Sequence, residues 1–264
     1  TAVVVGLPSF RVPIAEGSST FINNRWGGAD AASGRSVLLG LDGRLYEGVD
    51  REQGYDRGLR LANVADPDMR FIKLRAGNEP GHNGGPGGGR DIYQALGTDG
   101  SLWYSARSSG GGFQDSWAAM QFRQVSLPQG EIVADISPAH VLTESGRLFR
   151  LSGGIDNTPA LGEIAVPSEV VFQRFGDLRT TMSATAYVAV IDEDGVIWEV
   201  GGGSGGWITV GIAGERVAQV TGTRDTRVAL TESGKVFSWG GQECGELGNG
   251  SKDASQATPT QVMA

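Results

Sequence analysis

Several residue types are scarce in this chain, and each scarcity removes a class of protein. The single cysteine, Cys244, has no partner for a disulfide within the chain, so nothing indicates an oxidising compartment. The two histidines, His82 and His140, are too few for a histidine-rich metal site. No apolar run approaches the roughly 18 residues of a membrane-spanning helix, and we expect no transmembrane segment.

Basic residues are in the minority as well. The chain has 22 Lys and Arg against 30 Asp and Glu, a formal net charge of −8. The sequence has no cluster of Lys and Arg that could neutralise a row of phosphates, so we expect no direct binding of nucleic acid. The first residue is Thr1, as expected if a targeting peptide or another leading segment has been removed. An intracellular or organellar location is the expectation.

Helical periodicity is missing, whereas glycine is abundant, with 43 residues in a chain of 264. Five glycines anchor copies of one pattern: VLLGLDGRLY, QALGTDGSLW, HVLTESGRLF, AVIDEDGVIW and VALTESGKVF. The anchors are Gly43, Gly100, Gly146, Gly195 and Gly234. Asp or Ser precedes each anchor, a pair that suits a tight two-residue hairpin turn with positive φ at the glycine.

Two apolar positions recur around each anchor and predict the core. An aliphatic residue stands four positions before the glycine and an aromatic residue stands three positions after it. Side chains at fixed positions of successive hairpins are expected to pack between neighbouring units. The predicted core residues are Leu39, Tyr46, Leu96, Trp103, Leu142, Phe149, Ile191, Trp198, Leu230, Phe237 and Trp239.

Each hairpin lies between two further short apolar segments, which makes four strands in each unit. Units of four strands with anchors roughly 40 to 60 residues apart are typical of propeller blades. We therefore predict an all-β fold, a β-propeller of four-stranded blades, with five blades counted and six or seven as alternatives. Residues 1–264 are predicted to form one domain, with residues 1–11 as an extra strand near the closure of the ring.

The stretch ALTESGKVFSWGGQECGELGNG, residues 229–250, resembles the repeat of the regulator of chromosome condensation family. The resemblance is carried by its Leu-Thr, turn glycine, Trp-Gly and Gly-Glu-Leu-Gly elements, and it is weaker in the other four copies. It implies a propeller with blades of about fifty residues that serves mostly as a binding platform, with guanine-nucleotide exchange in the founding member. One departure is that the family's histidine, eight residues before the turn glycine, is absent from all five copies.

Partner-binding residues are expected in the loops opposite the tight turns, because these loops vary while the scaffold repeats. The enlarged loops cover residues 18–34, 47–58, 78–90, 105–117, 177–186 and 201–207. Trp and Arg are enriched at interface hot spots, although a Trp at a loop edge also serves to cap a blade core. The candidates are Arg25, Trp26, Arg57, Arg90, Arg107, Phe113, Trp117 and Trp207.

Three short motifs have ordinary structural explanations. Ser204 lies in a Gly-Gly-Ser-Gly-Gly run, but a nucleophile elbow needs a helix after the serine. Residues 84–89 are glycine-rich, yet no Gly-Lys-Ser/Thr follows them to complete a phosphate loop. The acidic triplet Asp192–Asp194 lies at a hairpin tip and lacks the rest of a calcium loop. We predict no metal and no cofactor.

The sequence favours a non-catalytic scaffold that binds other protein subunits, as an accessory or peripheral subunit of a larger complex. One alternative, by family analogy, is nucleotide exchange or other regulation of a small GTPase. A third is a propeller hydrolase or lyase with carboxylates around the central opening. Its candidate residues would be Glu16, Glu131 and Asp135.

Overall fold

The computed structural model describes residues 3–7, 10–19, 36–49, 58–79, 90–108, 120–153, 159–178, 187–201, 206–223, 225–242, 245–250 and 255–262. All regular structure in these ranges is β-strand, arranged in five sheets. The strands of each sheet follow one another along the chain with antiparallel pairing, apart from short additions at the edges. This arrangement confirms the predicted all-β class with five blades.

The first two blades each gain a strand at one edge. Blade 1 contains β1 (Val3–Leu7), β2 (Phe10–Ser19), β3 (Ser36–Gly40), β4 (Leu45–Val49) and β5 (Gly58–Leu61). Blade 2 contains β6 (Asn63–Val64), β7 (Phe71–Glu79), β8 (Arg90–Gly97), β9 (Leu102–Ser108) and β10 (Gln121–Gln124). The short β6 continues the chain from β5 and pairs in parallel with β10, so it ties the outer edges of the two blades.

The remaining three blades follow the same plan. Blade 3 contains β11 (Val133–Ile136), β12 (His140–Thr143), β13 (Leu148–Gly153) and β14 (Pro159–Ile164). Blade 4 begins with β15 (Phe172–Phe175), and β16 (Asp177–Leu178) then crosses to pair in parallel with blade 5. Blade 4 continues with β17 (Tyr187–Asp192), β18 (Ile197–Gly201) and β19 (Ile208–Val210). Blade 5 contains β20 (Val217–Gly222), β21 (Thr226–Thr231), β22 (Val236–Gly240) and β23 (Gln256–Gln261).

The amino-terminal extra strand is β1, which pairs antiparallel with β2 along the inner edge of blade 1. It ends at Leu7, and Phe10 and Arg11 already belong to β2. The predicted extra strand over residues 1–11 is therefore shorter than expected. A single domain over the whole chain stays a prediction.

All five anchor glycines adopt positive φ, between 76° and 84°. Each donates its N–H to the carbonyl three residues earlier, as Gly43 does to Gly40 at 2.9 Å and Gly234 to Thr231 at 3.0 Å. In blade 1 Gly40 also donates its N–H to the carbonyl of Arg44 at 2.9 Å, which leaves Leu41, Asp42 and Gly43 between these two residues. The loops therefore have three residues and end in a left-handed glycine, so the prediction of two-residue turns was wrong. A glycine in the third loop position restores the strand twist after an ordinary turn.

Each sheet has a forward face, which packs on the next blade, and a backward face, which packs on the preceding one. On the forward face, the aliphatic residues four before and two after the anchor glycine are at most 4% exposed in blades 1 to 4. They cluster with apolar residues of the next blade. The pairs are Leu39 and Leu45, Leu96 and Leu102, Leu142 and Leu148, and Ile191 and Ile197.

Blade 5 departs from this pattern. Leu230 is 40% exposed and Val236 is 37% exposed, so the prediction that Leu230 is a core residue was wrong. The physical reason is that a following blade covers this position in blades 1 to 4, whereas no described element covers it in blade 5. Trp239 is buried, and Trp198 and Phe237 are partly buried against neighbouring clusters.

The aromatic residues of the first three copies are all buried. Trp103 and Phe149 pack in the cores that join their blades to the preceding ones. Tyr46 is also buried, but it belongs to a separate small cluster with Leu38. Its hydroxyl donates to Asp42 at 2.7 Å, and the indole of Trp103 donates to Ser101 at 2.8 Å. Residues of the turns thus satisfy the polar atoms of these aromatic side chains.

Candidate interaction face

The connections of variable length leave the sheets at the end opposite the glycine turns, which we call the loop face. Here β7 joins β8, β9 joins β10, and β18 joins β19. Arg90 begins β8 and Arg107 lies one residue before the end of the adjacent β9. Arg107 is paired with Asp91, the neighbour of Arg90, so the two arginine positions meet at the same edge of blade 2.

The other candidates for partner binding are distributed differently. Arg25, Trp26, Arg57, Phe113 and Trp117 lie outside the described residues. Trp207 directly precedes β19, at the loop face of blade 4. Partner binding by all eight candidates stays a prediction.

Trp207 joins two blades. Its indole N–H donates to the carbonyl of Ala165, which follows the outer strand of blade 3, at 2.8 Å. Its ring centroid lies 5.1 Å from that of Phe172 in the inner strand of blade 4. An indole that packs its ring and satisfies its N–H in this way stabilises the junction between the blades, while part of its surface stays exposed.

Polar side chains on the inner strands connect successive blades. Asp135 of blade 3 accepts a hydrogen bond from the ammonium group of Lys73 in blade 2. Its Oδ2 atom accepts the backbone N–H of Phe175 in blade 4 at 2.8 Å. Arg174 of blade 4 donates in turn to the carbonyls of Val217 and Ala218 in blade 5, each at 2.9 Å. These side chains form a structural chain from blade 2 to blade 5.

This arrangement bears on the carboxylates considered for a hydrolase or lyase. Both oxygens of Asp135 are engaged by neighbouring blades, and its side chain is 7% exposed. Glu131 lies beside the turn of blade 3 and accepts from Ser145 at 2.6 Å and from Arg147 at 3.0 Å. The hydrogen bond from Ser145 holds the pKa of Glu131 below its ordinary value. The side chain of Glu16 lies outside the described residues.

The acidic triplet is part of a turn. Asp192 accepts the indole N–H of Trp198 at 2.6 Å and the backbone N–H groups of Val196 and Asp194 at 2.8 and 3.0 Å. Ser204 and residues 84–89 lie outside the described residues. In the described ranges, no group of three His, Cys, Asp or Glu side chains is placed to hold a metal ion. No helix in those ranges is long and apolar enough to cross a membrane.

Sequence reasoning missed a set of buried charges. Glu199 of blade 4 and Arg227 of blade 5 form an ion pair at 3.0 Å, with each side chain 9% exposed. The carboxylate of Glu47, fully buried in blade 1, accepts the backbone N–H of Met120 in blade 2 at 3.1 Å. Glu47 and Glu199 occupy the same repeat position, four residues after the anchor glycine. The recurrence of Glu at this position was the signal in the sequence that could have predicted the buried charges.

His140 is buried in the second strand of blade 3, with 3% of its surface exposed. Its Nδ1 atom lies 3.3 Å from the hydroxyl of Ser137, and its ring lies 6.3 Å from that of Phe175. Burial, assisted by the charge of Arg150, lowers the pKa of His140 to about 4. The imidazole is therefore neutral near pH 7. His82 lies outside the described residues.

The carboxyl-terminal part of the chain matches a family model, that of the Regulator of chromosome condensation (RCC1) repeat, over residues 233–264. These residues include β22 and β23. Leu247 of the Gly-Glu-Leu-Gly element is 1% exposed, and its carbonyl accepts the hydroxyl of Ser238 at 2.6 Å. The motif thus holds the loop between the two strands against the sheet.

The fold is similar to that of several solved propellers. Human WBSCR16 is 14% identical with a TM-score of 0.59, and the match covers 87% of this chain and 65% of WBSCR16. Prp20p from Saccharomyces cerevisiae is 14% identical with a TM-score of 0.56, at 87% and 61% coverage. YCF48 in complex with a D1 peptide is 16% identical with a TM-score of 0.50, at 90% and 68% coverage.

The chain spans less than two thirds of the length of the first two of these propellers. At identities of 14% to 16%, these matches show a similar fold and nothing more. The sequence signal comes from the repeat itself, in the matched residues 233–264 and in the five anchor glycines with positive φ. The chain is therefore a β-propeller whose residues 233–264 match the repeat of the regulator of chromosome condensation family.

Proposed function

We propose that this chain is a non-catalytic scaffold that binds other proteins, as an accessory or peripheral subunit of a larger assembly. The observation that carries the proposal is that polar side chains of the inner strands hold the blades together, while the loops lie at one end of the sheets. Asp135 and Arg174 are engaged in contacts between blades, whereas the connections from β7 to β8, from β9 to β10 and from β18 to β19 leave at the loop face. Loops displayed on a rigid scaffold are suited to recognition of a partner.

The similar propellers offer support from their own partners. Prp20p has been studied for its binding to Gsp1p and histones, and it has been solved with Kap60. YCF48 has been solved with a peptide of D1. Each of these propellers binds other proteins or peptides, and the same kind of role fits the present chain.

The test compares substitutions at the two ends of the sheets. The double variant Arg90→Ala with Arg107→Ala removes two loop-face cations, and Arg44→Ala with Arg70→Ala is the matched pair beside the turn of blade 1. Native mass spectrometry of assemblies isolated from cells that make the protein gives the readout. The loop-face variant should lose subunits that the control retains. Equal retention by both variants, or a lone monomer in the wild type, contradicts the proposal.

The second candidate is regulation of a small GTPase, which is favoured by the likeness to Prp20p with its studied binding to Gsp1p. Nucleotide release from a panel of small GTPases loaded with a fluorescent guanine nucleotide tests this role. Acceleration over the intrinsic rate by the wild-type chain would support it. An unchanged rate across the panel would leave the scaffold role alone.

A further inference from the structure

The forward face of blade 5 has the composition of an interface between blades, but the described chain covers only part of it: the loop of residues 245–250 lies over Ser238, whereas Leu230 and Val236 stay exposed. Leu230 and Val236 occupy the positions at which the first four blades carry residues at most 4% exposed. Strand pairing places Thr221, Val228, Thr260 and Val262 on the same face, and none of these six residues carries a charge. An uncharged sheet face with aliphatic residues exposed to about 40% is characteristic of an interaction surface.

The four internal interfaces show what covers this kind of face. In each one, the inner strand of the next blade offers two apolar side chains three residues apart. The strand pairing is irregular between the first apolar residue and the polar residue two positions later. This irregularity brings the two apolar side chains to the same face of the sheet. The pairs are Phe71 and Leu74, Val133 and Ile136, Phe172 and Phe175, and Val217 and Val220.

A backbone hydrogen bond completes three of these interfaces. The carbonyl of the anchor glycine accepts the N–H of the first residue of the pair in the next blade. Gly43 accepts from Phe71 at 2.7 Å, Gly100 from Val133 at 3.1 Å, and Gly195 from Val217 at 3.0 Å. At these three glycines a Cβ built on the backbone would meet the residue before the pair, namely Arg70, Ile132 or Arg216, whereas at Gly234, as at Gly146, it would meet no atom within 4 Å.

Blade 1 is a poor match for this face. Its inner strand has the same pairing irregularity, between Ile14 and Glu16. Ile14 and Gly17 therefore occupy the two positions at which the other blades carry the apolar pair. Gly17 has no side chain to fill the space that Leu74 fills in blade 2. Tyr46, on the backward face of blade 1, is only 8% exposed and already covered. These features disfavour both closure of the ring by blade 1 and head-to-tail stacking of a second copy.

We propose that the forward face of blade 5 binds a blade-like β-sheet of a different protein chain. The leading strand of that sheet presents two apolar side chains three residues apart and a backbone N–H for the carbonyl of Gly234. The contact continues the series of four internal interfaces. The surface lies on a sheet face rather than at the loop face, so the two proposals stand or fall separately.

Site-specific photocrosslinking tests the identity of the occupant. The photoreactive residue benzoylphenylalanine replaces Leu230 or Val236 in the full chain, and Leu41, which is 57% exposed in the turn of blade 1, is the control position. The cells that normally make the protein are irradiated and the crosslinked peptides are sequenced. Crosslinks from positions 230 and 236, but not 41, should fall on one strand of another protein that has apolar residues three positions apart.

Three results would overturn the proposal. Crosslinks to residues 1–35 of the same molecule would mean that the ring closes on itself. Crosslinks between two copies of this chain would mean self-association. Crosslinks spread over many proteins, or over segments without the paired apolar residues, would mean that the face has no blade-like occupant.

A pair of variants gives an independent readout. Leu230→Asp with Val236→Asp puts two charges on the face, and Leu41→Asp puts one on an exposed turn. A charge buried without a partner is costly, so the double variant should lower the yield of the crosslinked partner chain in co-purification by at least about tenfold. The control should keep it. The midpoint of thermal unfolding of the isolated chain should be nearly unchanged, because both side chains are already exposed, and equal recovery by all variants would refute the proposal.

Discussion

His140 makes the stability of blade 3 depend on pH. Burial lowers its folded-state pKa to about 4, below the unfolded value of about 6.5, so the unfolded chain takes up the proton first as the pH falls. The stability is complete above about pH 6.5 and is lost progressively towards pH 4. Between pH 7 and pH 5 the free energy of unfolding should fall by about 2 kcal/mol on account of this residue.

The variant His140→Val isolates this effect, because the equivalent positions of blades 1 and 5 carry Val37 and Val228. The free energy of unfolding, measured in urea at pH 7 and at pH 5, should change less with pH in the variant than in the wild type. His82 is retained in both proteins and serves as an internal control. Equal changes in the two proteins would show that His140 is not the group responsible.

The ion pair of Glu199 with Arg227 provides a second prediction. Arg227→Met leaves the carboxylate of Glu199 buried without its cation, which should lower the free energy of unfolding by about 3 to 5 kcal/mol. Arg216→Met removes one partner of a pair in which Arg216 is 49% exposed and Glu232 52% exposed, and it should cost at most about 1 kcal/mol. Urea denaturation at pH 7 gives both values.

A double variant separates the loss of the ion pair from simple misfolding. Glu199→Leu with Arg227→Met removes both charges, and replacing a whole buried pair by apolar residues is often close to neutral. It should recover most of the stability that Arg227→Met loses. If the double variant is no more stable than Arg227→Met, the cost lies elsewhere, for instance in the bond from Arg227 to the carbonyl of Thr223 at 2.6 Å.

At the scale of the blade, equivalent leucines should differ in their contribution to stability. Leu142 is fully buried on the forward face of blade 3, whereas Leu230 at the same repeat position is 40% exposed. Leu142→Ala should cost about 2 to 5 kcal/mol, since it opens a cavity between two blades. Leu230→Ala in the isolated chain should cost less than about 1 kcal/mol. Similar losses in urea denaturation would mean that blade 5 is covered in solution.

The sequence predicted the strands and hairpins better than the contacts that each blade makes with its neighbours. The repeat around Gly43, Gly100, Gly146, Gly195 and Gly234 identified every central hairpin, because a left-handed glycine between apolar strands is a local feature. Whether Leu230 is buried depends on a neighbouring sheet, which a local pattern does not contain. The three-residue length of the turns escaped notice because Asp-Gly and Ser-Gly suit more than one turn type.

The candidate site was harder to predict than the fold. Glu47 and Glu199 look like ordinary solvent-exposed charges in the sequence, yet both are buried and both contact the next blade. Asp135 stood out as a candidate for catalysis, yet its partners Lys73 and Phe175 come from two other blades and are far away in the sequence. The pairing of residues across blades determines these roles.

At the scale of the whole molecule, the described contacts connect each blade chiefly to its neighbours in sequence. Four apolar clusters join blades 1 to 2, 2 to 3, 3 to 4 and 4 to 5. Polar contacts run beside all four clusters, through Glu47, Asp135, Arg174 and Arg227. Stability in such an array comes largely from interfaces between neighbouring units, and a unit covered on one face has fewer of them.

Hydrogen exchange should therefore be graded along the chain. Amides of β12 and β13 belong to a blade covered on both faces, whereas β21 and β22 belong to one whose forward face is open. In the isolated chain, peptides from β21 and β22 should exchange at least about tenfold faster than those from β12 and β13, because local opening of blade 5 breaks a single interface. Mass spectrometry of exchange at neutral pH measures both sets in one experiment. Equal protection would require an additional cover on Leu230 and Val236 in solution, whereas protection gained only within the native assembly would place that cover in another subunit.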